Sequence, residues 1–166
     1  MRLPNWLRAW LVDRAFVTML ERDPDFVIGD PDEPYMKRWH LVGPNRLLSI
    51  YVHCILRDDD DRALHDHRSA TLSLILSGDY REVVPANWEA WKLFGYRDTK
   101  TLRRKSGDVV FRRAAAPHRL EMGESKAVVT LFVTGPTWRT WGFWLPTGWV
   151  PHFEYTDPQN PGMVKA

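Results

Sequence analysis

The stretch 47–56, Leu-Leu-Ser-Ile-Tyr-Val-His-Cys-Ile-Leu, restricts the fold more than any other part of this chain. Rich in β-branched and aromatic residues, it reads as a strand. Side chains alternate across a strand. Leu47, Ser49, Tyr51, His53 and Ile55 therefore share one face, and Leu48, Ile50, Val52, Cys54 and Leu56 the other. Both faces are largely apolar. Such a strand needs cover on both sides and belongs at the centre of a sheet.

The rest of the chain supplies the neighbours it needs. Strand-like runs recur at 35–42, 71–77, 80–84, 109–112, 118–122 and 126–133, with a polar strand or edge at 96–105. Two more, 139–145 and 150–155, flank the turn Pro146-Thr147-Gly148. Gly43-Pro44-Asn45, Gly78-Asp79, Gly107-Asp108 and Gly135-Pro136 punctuate the series. Short strands separated by such turns predict an all-β sandwich or barrel. Residues 85–95, with Trp88, Trp91 and Phe94, read as a local excursion, either a hairpin extension or a lid.

Ahead of the strands, Trp6, Leu7, Trp10, Leu11, Phe16, Met19 and Leu20 recur at nearly helical spacing behind Pro4. They predict one amphipathic helix packed on the barrel. Membrane association is the rival reading, and the acidic residues mixed among its few cations weigh against it. Residues 23–34 read as a loop around the short extended piece Phe26-Val27-Ile28. The expected organisation is one domain, with helix and connecting loop over 1–34 and β-barrel over 35–166.

Composition narrows the function. The net charge of +2 comes from interspersed charges, and the densest basic runs, 102–105 and Arg112-Arg113, flank strands. That is not the concentrated basic stripe of a nucleic-acid binder. No apolar run approaches the ~18–20 residues that span a bilayer. Arg2, Arg8, Asp13 and Arg14 interrupt any signal-like apolar core at the start. The single cysteine, Cys54, excludes an internal disulfide framework and suits a reducing compartment, so a cytoplasmic location is expected. Cys54 itself reads as a small buried residue. Trp138, Trp141, Trp144 and Trp149 cluster late in the chain; packing is the first reading for them and a ligand-stacking platform the second.

The chemistry concentrates at His65-Asp66-His67, between the acidic loop 58–61 and the apolar run 71–76. On an extended backbone the two imidazoles point to one side and Asp66 to the other, where it supports the loop. Imidazole is the commonest protein ligand for borderline metals. His118 follows after further strands, in Ala116-Pro117-His118-Arg119-Leu120. A metal site built from neighbouring strands competes with solvated histidines in a charged loop. His53 is a candidate for the pocket, against the plainer reading of a hydrogen-bonded core histidine.

These motifs, in this order, resemble the cupins, small double-stranded β-helix barrels. The first cupin motif is matched by His65-Asp66-His67 with the turn Gly78-Asp79, and the second by Gly107 to Arg112 ending in Pro117-His118. The resemblance covers 47–133 and extends in style to small bacterial and phage cupins through Tyr51-Val52-His53, the 57–61 loop, Thr134-Gly135-Pro136 and Trp141-Gly142-Phe143-Trp144. It implies a jelly-roll barrel with one N-terminal helix and a divalent transition metal on His65, His67 and His118. Fe(II) is the first expectation for that metal, with zinc or nickel as alternatives. One departure matters. The acidic ligand of the first motif is missing, since Thr71 and Leu72 stand in its place and Ser73, close by, is a poor ligand.

Three histidines without a carboxylate resemble the set of the thiol dioxygenases. That likeness implies an arginine for a substrate carboxylate, with Arg57, Arg112 and Arg113 as candidates, and a tyrosine near the metal, with Tyr51 and Tyr80 as candidates. The expected catalytic pair is Tyr51 and Arg113, and His53, Ser73 and Arg112 are expected in the pocket. The substrate is expected to be a small anionic molecule, and the protein a non-haem iron oxygenase. A non-catalytic ligand binder with a tryptophan-lined mouth and a sugar-type isomerase using a histidine base are the rivals. Cupin edge strands also suggest a homodimer.

Overall fold

The computed structural model describes residues 2–44, 47–59, 63–94 and 98–157. Asn45 of the first expected turn, Asp60 and Asp61 of the acidic loop, and Tyr96 lie outside the described residues. The doubly apolar stretch forms β3 (Ser49–Ile55), between β2 (Pro34–Val42) and β10 (Val128–Thr134), both antiparallel to it. With β1 (Phe26–Gly29), β5 (Thr71–Ser77) and β8 (Val109–Arg112) they make a six-stranded sheet in the order β1-β2-β3-β10-β5-β8. The short extended piece expected within the connecting loop is thus the edge strand β1.

Two three-stranded sheets complete the structure. One orders β7 (Thr99–Lys105), β6 (Asp79–Pro85) and β9 (Arg119–Met122). The other orders β12 (Gly148–Pro151), β11 (Gly142–Leu145) and β4 (Leu64–His65). Gly78 does not close a hairpin. It carries the chain from β5 in the large sheet to β6 in a small one, at φ +80° and with a Cβ position only 2.5 Å from the Ala127 carbonyl oxygen. Only glycine fits that crossing.

The two faces of β3 have separate tasks. Val52 and Cys54 turn to α1 (Asn5–Glu21) and join Ala15, Trp39, Leu74, Leu76 and Val129 in a buried cluster. Burying an aliphatic side chain of the size of Val52 or Leu76 contributes about 1.5–3 kcal/mol. Tyr51, His53 and Ile55 turn inward and line a cavity of about 750 Å³ between the sheets.

The expected helix is present, but its apolar stripe is narrower than its composition implies. Leu11, Val12, Ala15 and Met19 face the sheet, whereas Trp6, Trp10 and Leu20 are 73%, 58% and 84% exposed. The residues at helical spacing 11, 15 and 19 win the interface, and the two tryptophans lie one turn apart on another face.

Three further expectations need correction. The excursion after β6 is not a hairpin extension; it is a helix, α2 (Trp88–Phe94), with Trp91 buried against Leu64 and Val83. The last predicted strand stops at Pro151 and becomes a one-turn helix, α3 (His152–Tyr155). The 139–145 strand begins only at Gly142, because residues 135–141 run as an irregular connection. Among the described residues no helix is long and apolar enough to cross a membrane.

Candidate metal centre

Backbone pairing brings the three histidines together. His65 and His118 exchange two backbone hydrogen bonds, at 2.8 and 2.9 Å, so their side chains lie side by side although 53 residues separate them in sequence. His67 is tied through its N–H to the Ala114 carbonyl at 2.8 Å. The ring centroids form a near-equilateral triangle with sides of 4.8, 5.0 and 5.4 Å. One ring nitrogen from each lies within 4.8 Å of the others, and His67 Nε2 and His118 Nε2 are 2.8 Å apart.

These donors fit a metal ion. At metal–nitrogen distances of about 2.0–2.1 Å, neighbouring imidazole nitrogens sit roughly 3–3.5 Å from one another, and the observed separations bracket that spacing. The donors are also in the right protonation state. Burial, reinforced by neighbouring cationic groups, holds His67 and His118 well below the ordinary histidine range, so both present lone pairs at neutral pH. No carboxylate joins the set. Thr71, at the position of the missing acid, is buried on the cavity wall, and its Oγ1 has no partner among the described residues.

Two buried carboxylates flank the triangle without entering it. Asp66, one residue past the end of β4, points away from the triangle. Its Oδ1 accepts from the Gly142 N–H at 2.8 Å, and its Oδ2 accepts from Trp149 Nε1 at 3.0 Å and pairs with Arg139 at 3.0 Å. The same Arg139 Nη1 donates to the His67 carbonyl at 2.9 Å, so this cluster clamps the ligand loop from behind.

The other carboxylate, Glu82 on β6, is 1% exposed. Its Oε1 pairs with Arg112 and stands 3.3 Å from His118 Nδ1, while its Oε2 accepts from Arg104 Nε at 2.6 Å. His118 Nδ1 makes no hydrogen bond among the described residues, and Glu82 Oε1 is the carboxylate oxygen within ion-pair distance of it. Glu82 is therefore placed to hold the imidazole with Nε2 turned to the triangle.

Sequence reasoning overlooked Glu82. The signal was there: on a strand it shares the inward face with Tyr80, and a glutamate on the buried face of a strand has to be paired. Arg38 on β2, which also lines the cavity, was missed as well.

The remaining candidates separate by exposure. Tyr51, His53, Ser73, Tyr80 and Arg112 all line the cavity. Burial draws the Arg112 guanidinium down to about 10. His53 stands apart from the triangle: its Nε2 accepts from Arg38 Nε at 2.9 Å, and its ring stacks on Phe132 at 4.8 Å. Arg113, expected to be catalytic, is exposed and off the cavity wall. The pleat that turns Arg112 inward turns its neighbours Phe111 and Arg113 outward. Arg57 also lies off the wall, its Nε donating to the Glu33 carbonyl at 2.8 Å. The tryptophan-lined mouth reduces to Trp141; Trp138 is exposed, and Trp144 and Trp149 pack elsewhere. The acidic loop is tied down where it is described, since Asp58 and Asp59 accept from the β9 N–H groups of Met122 and Leu120, and Asp59 also lines the cavity, 3.7 Å from His65 Nδ1.

The antiparallel sheets, facing each other across the cavity, have the double-stranded β-helix fold seen in cupins. Solved structures with the same fold include iron(II) HppE in complex with substrate, at 17% identity over 69% of this chain and 57% of that one, with a TM-score of 0.51. A mutant of Bacillus subtilis oxalate decarboxylase matches at 18% identity over 74% of this chain and 30% of that one, with a TM-score of 0.50. A cupin superfamily protein from Desulfitobacterium hafniense aligns at 16% identity over 61% of this chain and 77% of that one, with a TM-score of 0.45. The chain spans less than two thirds of the first two. No family model and no curated protein sequence matches it.

Proposed function

We propose that this protein is a metal-dependent enzyme, a mononuclear non-haem iron oxygenase acting on a small anionic molecule held in the cavity. The observation that carries the reading is the convergence of His65, His67 and His118 with no carboxylate among the ligand atoms. Three neutral donors leave a divalent ion its full charge, which favours an anionic partner over a neutral one. Ferrous iron bound there would supply open positions at which dioxygen and substrate can meet; zinc or nickel suits the same donors. The chain does the rest. Glu82 orients His118, and the Asp66–Arg139 clamp fixes the backbone of His67. Tyr51 and Arg112 present a phenol and a guanidinium to the bound molecule, and Phe132, Phe143 and Ile28 keep the wall apolar.

The test is metal content. Purified without chelators, the protein should carry about one equivalent of metal, and His67→Ala should lose at least 90% of it while keeping its far-ultraviolet spectrum. Unchanged metal in the folded variant would overturn the reading. Oxygen uptake by the iron-loaded protein with small thiols and carboxylic acids then tests the reaction class.

One observation favours a second reading. The His118–Glu82 contact at 3.3 Å supplies the histidine–carboxylate pair that an isomerase base requires. Turnover that survives complete removal of metal would select it.

A further inference from the structure

The outer face of α1 is apolar where an ordinary surface helix is charged. Trp6, Ala9, Trp10, Phe16, Val17 and Leu20 fall on that side, and the spacing 6, 9, 13, 16, 20 makes them one continuous stripe around Asp13. Arg8, by contrast, is drawn inward, where its Nη1 donates to Ser106 Oγ at 3.1 Å. At 73%, 58% and 40% exposure, Trp6, Trp10 and Phe16 alone present roughly 250–430 Å² to solvent. Leu20 extends the stripe. Leu41 extends it further, beside the point where Arg22 Nη2 donates to the His40 carbonyl at 2.9 Å and ties the end of the helix to β2. A contiguous apolar patch of that size marks an interaction site.

The charges on the stripe say what covers it. Asp13 stands in its middle with Arg14 alongside; both are exposed, and neither forms an ion pair among the described residues. The helix runs Asn5–Glu21, so Asp13 is also its midpoint. A membrane surface would immerse that carboxylate without a counter-charge. A second copy of the helix, antiparallel and in full register about Asp13, supplies one. Trp6 then lies opposite Leu20, and Trp10 opposite Phe16. Arg14 of each copy reaches Asp13 of the other, which is the reciprocity that a two-fold interface imposes.

We propose that the chain forms a two-fold homodimer through the outer face of α1, with an aromatic core and two reciprocal Asp13–Arg14 pairs across the axis. This is a different surface from the sheet edges. The exposed rings supply about a third to a half of the roughly 800 Å² per partner that a stable interface buries. The flanks of a helix about 25 Å long supply the rest. Because α1 covers the side of β3 that carries Val52 and Cys54, whereas Tyr51 and His53 face the cavity, the pairing leaves both cavities open.

The experiment is sedimentation velocity on the whole chain at micromolar concentration, with circular dichroism as the check on folding. The parent should sediment as a dimer. Trp10→Glu, at an exposed position where folding is not at stake, should sediment as a monomer with an unchanged far-ultraviolet spectrum. Asp13→Arg and Arg14→Asp should each weaken the dimer at least tenfold, because each variant meets its own charge across the axis. Mixed in equal amounts, these two variants should pair with each other to within about threefold of the parent affinity. A monomeric parent would overturn the proposal. So would a dimer that survives Trp10→Glu, since the contact would then lie on the sheet edges. Should Trp10→Glu dissociate the dimer while the mixture fails to pair, the reciprocal arrangement about Asp13 is refuted. Binding of a monomeric parent to phosphatidylglycerol vesicles, lost in Trp10→Glu, would assign the face to a membrane surface instead.

Discussion

Asp66 and Glu82 are the same kind of group in nearly the same surroundings, and they do opposite things. Both are buried, at 0% and 1% exposure, both are paired with arginine, and both belong to the shell around the histidine triangle. Asp66 sits between two of the histidines in sequence, yet it holds Gly142, Trp149 and Arg139 on the far side of the loop. Glu82 is 15 positions beyond His67 and across a sheet crossing, yet it is the carboxylate that meets an imidazole. Pleat direction decides between them, and distance along the chain does not.

The comparison breaks most visibly at Glu82. Glu82→Ala leaves Arg104 and Arg112 without the anion that neutralises them in a buried setting, and removing one partner of such a cluster costs about 3–5 kcal/mol. Chemical denaturation should register that loss. Glu82→Gln keeps the volume and one acceptor oxygen, so enough protein should fold for metal binding to be measured, with affinity down about 10–100-fold. Affinity unchanged in Glu82→Gln would reduce Glu82 to a structural counter-charge.

Asp66→Asn is the complementary change and should be milder. The amide retains an oxygen for the Gly142 N–H but loses the charge facing Arg139 and the second acceptor for Trp149, a loss of about 1–3 kcal/mol. Metal affinity should stay within about threefold of the parent, since the triangle itself is untouched. A drop as large as that in Glu82→Gln would erase the distinction between the two carboxylates.

A third effect follows from the buried imidazoles. Glu82 lies 3.3 Å from His118, yet burial and the charges of Arg112 and Arg104 hold this histidine well below its ordinary value. His53 and His67 are lowered in the same direction, in each case by burial first. The unfolded chain therefore takes up protons near pH 6.5 while the folded chain resists them until lower pH. The chelated protein should keep its full stability above about pH 6.5 and lose it progressively as the pH falls below that value. Thermal melting between pH 8 and pH 5 measures this, and His53→Gln should flatten the slope. A midpoint that does not move across the range would mean that these histidines protonate freely in the folded state.

Much of this was legible in the sequence. The doubly apolar stretch at β3, the turn glycines and the spaced histidines specify a barrel with a three-histidine set, because burial and alternation leave local signatures. The features that were missed are long-range. Glu82 and Arg38 look like ordinary strand residues until the sheets close and give them partners. Trp6 and Trp10 look like a packing stripe until Leu11, Ala15 and Met19 take the interface. Which of two adjacent arginines enters the cavity depends on register, and a shift of one residue reverses the answer.

That last point gives the smallest and cleanest test. Arg112 and Arg113 are neighbours of identical chemistry, one buried beside Glu82 and the other exposed. Arg113→Gln should change stability by less than about 0.5 kcal/mol, as surface substitutions do, and leave metal content unaltered. Arg112→Gln removes half of the cation pair that balances Glu82, and it should destabilise the protein and loosen His118 together. Equal effects from the two would mean that the register of β8 is shifted by one residue. In that case Phe111 would face the cavity, and Glu82 would lose the guanidinium that allows it to remain charged beside His118.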